Sequence, residues 1–128
     1  MIYLDSSVAL AYLTEETRRP PDSFWLQRLC ASRLLQFEVW NRLNRYAAST
    51  DASALTHGLF ARVALLELTS TVLARALDPF PVGIRTLDSL HLATLHYVRA
   101  SGTPVALASY DARMIAAAEA LDFEIAEL

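Results

Sequence analysis

Two short apolar runs, Ile2–Leu4 and Val105–Ala108, constrain the fold more than anything else in the chain. Each is too short for a helix and apolar at every position, so each reads as a strand buried on both faces. Strands of that kind belong to parallel sheets covered by helices. Each run also leads to an aspartate. Asp5 follows the first run directly, and Asp111 lies just past the second. In open parallel sheets, ligand sites lie outside the C-terminal ends of the strands. The runs that predict the sheet therefore also deliver two carboxylates to the edge where such a sheet binds ligands.

The segments between the runs read mostly as helices. Ser6 or Ser7 caps a helix to about Leu13, and Thr14–Pro21 is a polar loop with Pro20 and Pro21 at its end. Asp22 or Ser23 opens a helix through about Leu29, followed by a brief strand at Ser32–Leu35. Phe37, Trp40, Leu43 and Tyr46–Ala47 recur at helical steps. They predict a helix from Gln36 to Ala48, with Glu38, Asn41, Arg42 and Arg45 off the apolar stripe. Further on, Ser53–Ala64 reads as a helix with a break near Gly58, Leu65–Leu68 as a strand and Thr69–Leu77 as a helix. Asp78–Gly83, with Pro79 and Pro81, interrupts the pattern. Thr86 caps a long helix through Arg99 that carries Asp88 and Ser89 in its first turn. After the second apolar run come a helix to about Leu121 and a terminal strand, Phe123–Ala126. This order predicts one domain over residues 1–128, an α/β sandwich with a mostly parallel sheet.

Composition narrows the class. At 54% apolar residues the chain can bury a core, which excludes an intrinsically disordered protein. No stretch approaches the roughly 18 uninterrupted apolar residues of a membrane span. The first 13 residues contain Asp5 and lack a basic leader, so no signal peptide is expected and the expected compartment is cytoplasmic. Cys30 is the single cysteine. It excludes an intrachain disulfide and reads as a small buried hydrophobe. The net charge of −3 lacks the basic excess typical of nucleic-acid-binding domains. All 11 basic residues are arginine, the better fork for phosphate, although codon bias explains the same fact.

Four acids carry the candidate chemistry. Asp5 and Asp111 each either cap the helix that follows or stand free as ligands, with Ser6, Ser7 or Ser109 left to cap. Glu38 taken alone pairs with Arg42 one turn on, and Asp88 alone suits the positive end of a helix. Taken together the four are a set of hard oxygen donors suited to Mg²⁺ or Mn²⁺. His91, three residues after Asp88, is either a further ligand or a helix histidine hydrogen-bonded in the core, and the latter is favoured.

The joint pattern resembles the PIN-domain ribonucleases, and among them the VapC-type toxins of bacterial toxin–antitoxin pairs. Met1–Val8 is similar to the family's first strand and first acid, Asp5. Glu38 in Phe37-Glu38-Val39-Trp40-Asn41 is similar to the second. The segment Arg85–Thr94, the most specific match, supplies Asp88 as the third, and Val105–Asp111 the fourth. Ser109 stands where Thr is frequent, and Asp122 where Gly is frequent before the last strand.

The resemblance implies a PIN-like three-layer α/β/α sandwich and an Mg²⁺/Mn²⁺-dependent endoribonuclease that hydrolyses RNA phosphodiester bonds. Asp5, Glu38, Asp88 and Asp111 become the catalytic and metal-holding set, with Ser6 and Ser109 steadying the carboxylates. Arg85 either meets the scissile phosphate or pairs with a neighbouring acid. The implied partners are RNA, a cognate antitoxin and a second copy in a homodimer. An apolar groove from Phe24–Leu29 and the Phe37–Tyr46 stripe would receive the antitoxin, and Arg18, Arg19, Arg28, Arg42 and Arg45 would rim the RNA site or form a solvated surface. Alternatives are a PIN-type nuclease of RNA processing or DNA repair, and a catalytically inactive PIN-fold binding module.

Overall fold

The computed structural model describes residues 1–46 and 50–128. The predicted helix end at Ala47–Ala48 lies outside the described residues. Five strands form one sheet: β1 (Ile2–Leu4), β2 (Leu29–Ser32), β3 (Val63–Leu66), β4 (Ala106–Ala108) and β5 (Glu124–Ile125). Their spatial order is β3-β2-β1-β4-β5, and every neighbouring pair is parallel. Among the described residues six α-helices connect them: α1 (Ser6–Leu13), α2 (Leu34–Arg45), α3 (Thr50–Phe60), α4 (Ser70–Leu77), α5 (Thr86–Ala100) and α6 (Ala112–Glu119).

Strand alternation sorts the core into two halves. Leu4, Leu29, Ala31 and Ala108 pack with Val8, Leu35, Val39 and Leu59 from α1, α2 and α3. Tyr3, Cys30 and Leu107 point the other way, against Leu92 and Leu95 of α5 and Met114 and Ala117 of α6. Period-two side chains on strands covered on both faces produce this division. The result is the expected three-layer α/β/α sandwich.

The register sets up the site. Ile2, Tyr3 and Leu4 of β1 pair with Ala106, Leu107 and Ala108 of β4. The chain runs β1, β2, β3 outward on one side and then returns to add β4 on the other side of β1. The order therefore reverses at β1/β4, and the crevice beyond those two strand ends is where such sheets bind ligands.

Several local expectations shift. The helix predicted through Leu29 is only a 3-10 turn, Asp22–Leu26, and Leu29 instead starts β2. The strand placed at Ser32–Leu35 therefore lies three residues earlier, and Leu34 and Leu35 belong to α2. A fully buried parallel strand carries no polar alternation, so its edges are poorly marked against an adjoining apolar helix. Likewise, residues 63 and 64, assigned to a helix, open β3, and α3 passes Gly58 without a break. Arg85, not Thr86, occupies the N-cap position of α5. Asp122 takes φ 60°, the left-handed turn expected of it. Phe24 and Trp25 are buried in the core, which removes them from the predicted apolar groove. No helix among the described residues is long and apolar enough to cross a membrane.

Candidate active site

Asp5 leaves β1 as the N-cap of α1. Its Oδ2 accepts from the Ser7 backbone N–H at 3.4 Å, from Ser7 Oγ at 2.6 Å and from Ser109 Oγ at 2.8 Å. Asp111 leaves β4 as the N-cap of α6, its Oδ1 accepting from the N–H groups of Arg113 at 2.8 Å and Met114 at 3.3 Å. The expectation that neighbouring serines cap, freeing these carboxylates, is corrected: both aspartates cap with one oxygen. In each case the hydrogen bonds that cap the helix leave the second oxygen out. Capping and ligation are therefore compatible.

Glu38 is on α2 and Asp88 on the first turn of α5. All four acids line a single cleft of ≈ 560 Å³, together with Ser6, Ser7, Leu10, Arg42, Arg85, Thr86 and Leu87. Four separate elements deliver the carboxylates, and the cleft opens at the β1/β4 switch. Glu38 is not on the outer face of α2 paired with Arg42. Its Oε2 accepts from Ser6 Oγ at 3.3 Å, and its Oε1 is hydrogen-bonded by His91 Nε2.

Arg85 bridges two of the acids. Its Nε is 3.3 Å from Asp88 Oδ2, and its Nη2 is 3.2 Å from Asp111 Oδ2. The side chain is 63% exposed, so these contacts are screened and confer little stability. Their relevance is charge: a guanidinium sits between two carboxylates on the cleft wall. Arg42 is a second cation on the wall.

The acids share the cleft without forming a tight cluster. Among the described residues, no three His, Cys, Asp or Glu side chains stand close enough to hold one ion directly. Glu38 is drawn toward His91, and Asp88 and Asp111 toward Arg85. The donor set itself, carboxylate and hydroxyl oxygen only, fits Mg²⁺ or Mn²⁺, and Mg²⁺ keeps several of its waters. A cation in this cleft would be held in part through its waters.

One role escaped the sequence reading, that of Ser7, and His91 was expected as a hydrogen-bonded core histidine without its partners. Ser7, noted only as a possible cap, holds Asp5 and also accepts from the Tyr110 N–H at 2.9 Å. Its position beside Asp5 was the available signal. His91 is 1% exposed and has both ring nitrogens engaged, Nδ1 with Tyr3 and Nε2 with Glu38, so it is not itself a metal ligand. Burial is the largest influence on its imidazole and pushes the pKa down. Contact with Glu38, aided by the charges of Asp5 and Asp88, outweighs it, and the net shift is upward.

Comparison with known proteins agrees with this architecture. The family model described as PIN domain matches residues 2–123. Ribonuclease VapC35 of Mycobacterium tuberculosis is 27% identical over 130 residues, covering 98% of this chain and 95% of that protein. Among solved structures, Mycobacterium tuberculosis VapC20, a toxin that cleaves the sarcin-ricin loop, superposes with a TM-score of 0.69 at 18% identity, covering 91% of this chain and 95% of that one. A toxin-antitoxin complex from Klebsiella pneumoniae gives 0.66 at 12% identity, with 94% of each chain covered. At those identities the superpositions establish the fold, and the family match over nearly the whole length establishes the kinship. The chain belongs to the PIN-domain family.

Proposed function

We propose that this protein is an Mg²⁺- or Mn²⁺-dependent endoribonuclease, and that it acts in the cytoplasm as the toxin of a toxin–antitoxin pair, as a homodimer. The observation that carries the reading is the cleft: four acids from four elements meet at the sheet's switch point, with two arginines also lining it. The likeness to a VapC ribonuclease over 98% of the chain supports RNA as the substrate. The likeness to a chain of a toxin–antitoxin complex supports an antitoxin partner.

Each residue has a stated part. Asp5, Glu38, Asp88 and Asp111 hold the cation, directly or through water. Ser7 and Ser109 fix Asp5, and Ser6 steadies Glu38. Arg85, which lines the cleft beside Asp88 and Asp111, would bind a phosphate oxygen as a fork. When bound, the cation supplies charge neutralisation for the phosphate and acidifies a water for attack. A groove lined by Leu13, Leu43 and the exposed Tyr46 offers a place for an apolar antitoxin helix.

The test is RNA cleavage with Mn²⁺ by the parent, Asp5→Asn and Asp88→Asn. Each variant should lose at least about 100-fold, the scale of removing a group that stabilises transition-state charge. Parental rates in both would end the acidic-site reading. Growth arrest on expression, relieved by co-expressing the neighbouring small gene, is expected of a toxin. Cleavage without any growth effect would point instead to RNA processing or DNA repair. Failure to bind millimolar Mn²⁺ would leave an inactive binding module.

A further inference from the structure

Behind the cleft runs a hydrogen-bonded chain that none of the roles above uses. Tyr3, in the middle of β1, is fully buried. Its hydroxyl accepts the Ser32 backbone N–H at 3.1 Å and lies 2.9 Å from His91 Nδ1. His91, on α5, reaches Glu38 Oε1 on α2 through Nε2. Glu38 then meets the cleft and Ser6 with its other oxygen. The path starts at the β2 backbone in the core and ends on one cleft acid, through residues 88 and 53 positions apart in sequence.

The proton positions follow from donor chemistry. An ionised carboxylate only accepts, so His91 Nε2 carries a hydrogen. In a neutral imidazole Nδ1 is then an acceptor to which the Tyr3 hydroxyl donates; in the protonated ring Nδ1 donates to the Tyr3 oxygen, and the link holds in both forms. Ser32 N–H occupies the acceptor side of that hydroxyl. Turning the ring over would put carbon against both partners. The bond at one nitrogen thus decides what the other presents.

We propose that Tyr3 and His91 are positioning residues: they pin Oε1 of Glu38 so that Oε2 alone is offered to a divalent cation in the cleft. Neither lines the cleft. A phenol packed with Leu92, Leu95 and Leu107, and an imidazole 1% exposed, are costly side chains to bury, because each needs its polar atoms matched. A core whose only task was packing would be served by Phe and Leu. A glutamate on a helix, by contrast, has several rotamers, and a ligand held in one of them binds metal better. Partners of this kind around metal ligands are worth roughly 10–100-fold in affinity. The inference rests on the metal-site reading above.

The experiment is calorimetric Mn²⁺ titration of the folded protein without RNA, beside its urea unfolding curve. Tyr3→Phe keeps the shape and removes the hydroxyl, and should weaken Mn²⁺ binding about 10-fold. His91→Leu should weaken it at least as much. His91→Gln, whose amide N–H can stand near the position of Nε2, should recover much of the loss relative to His91→Leu. A purely structural role would lower the unfolding midpoint yet leave the affinity of the folded molecules at the parental value. Parental affinity in Tyr3→Phe, with the parent binding Mn²⁺, overturns the inference alone. A parent that binds no Mn²⁺ overturns the metal reading and the inference with it. Should His91→Leu fail to fold, Tyr3→Phe and His91→Gln still decide the matter.

Discussion

Asp5 uses its carboxylate for two purposes at once. Oδ2 caps α1 and accepts two serine hydroxyls, while Oδ1 takes no part in those bonds. Replacement by Asn and by Ala should therefore separate stability from chemistry. Asn is as good a cap as Asp and keeps an acceptor for Ser7 and Ser109, so Asp5→Asn should cost less than about 1 kcal/mol. Asp5→Ala removes the cap and the carboxylate acceptor of the buried Ser109 hydroxyl, and should cost about 1–3 kcal/mol. Urea unfolding of both variants measures this, and equal stability of Asp5→Ala and parent would contradict the capping role. Asp5 and Asp111 were legible in the sequence because each follows a short apolar run. Their double use was not, since a choice between cap and ligand presumes that one carboxylate has one partner. His91 was legible as a hydrogen-bonded core histidine, but its partners, and the part of Tyr3, were not: their bonds join distant positions, and no local pattern in β1 or α5 marks them.

At the scale of elements, the cleft is set by where strands stop and helices start. α1 and α6 begin at cleft acids, whereas α4 begins at Thr69, away from the cleft, with Thr69 Oγ1 accepting from Val72 N–H at 3.3 Å. Thr69→Ala should cost about 1 kcal/mol through loss of that cap. It should leave Mn²⁺ affinity and cleavage per folded molecule unchanged. Urea unfolding alongside the cleavage assay gives both numbers, and a large loss of cleavage in a folded variant would show that α4 reaches the site through α5, on which it packs. The capped helices were the readable ones, since a hydroxyl or carboxylate before an apolar run is a local signal. β2 was the element misread. Leu29–Ser32 is buried throughout and runs almost directly into Leu34–Leu35, so apolar spacing does not show where the strand ends and α2 begins. Glu38 fell within the predicted helix either way, but its contact with His91, 53 positions on, left no local mark.

For the whole molecule, the strand order decides what the site can be. Local patterns specify a parallel sheet, but they do not say that β4 joins β1 on the side away from β2. That choice brings Tyr3 beside Leu107, and hence Asp5 near Asp111, across about 100 residues. It also places two weak acids, Tyr3 and Cys30, in the same half of the core. Burial raises the Tyr3 phenol well above its ordinary range and pushes the Cys30 thiol from 9.0 up to about 11. An acid whose pKa is raised by folding keeps its proton in the native state after the unfolded chain has lost it. The stability it confers is complete below the ordinary value of 9.0 for Cys30 and falls as pH rises from there through about 11. At about 1.4 kcal/mol per pKa unit, Cys30 alone accounts for at most roughly 2–3 kcal/mol, and Tyr3 acts with the same sign. Urea midpoints should therefore hold steady near pH 8 and drop progressively above pH 9, while arginine, still charged there, contributes no change of its own. Cys30→Ala should flatten the part of the fall due to the thiol and leave the part due to Tyr3. A thiol reagent at pH 8 should label the native protein slowly and the unfolded chain at once, because Cys30 is 2% exposed. A flat stability profile through pH 10.5, or rapid native labelling, would mean that this half of the core admits water. The Tyr3–His91 link to Glu38 would then lose the dry surroundings on which its strength depends.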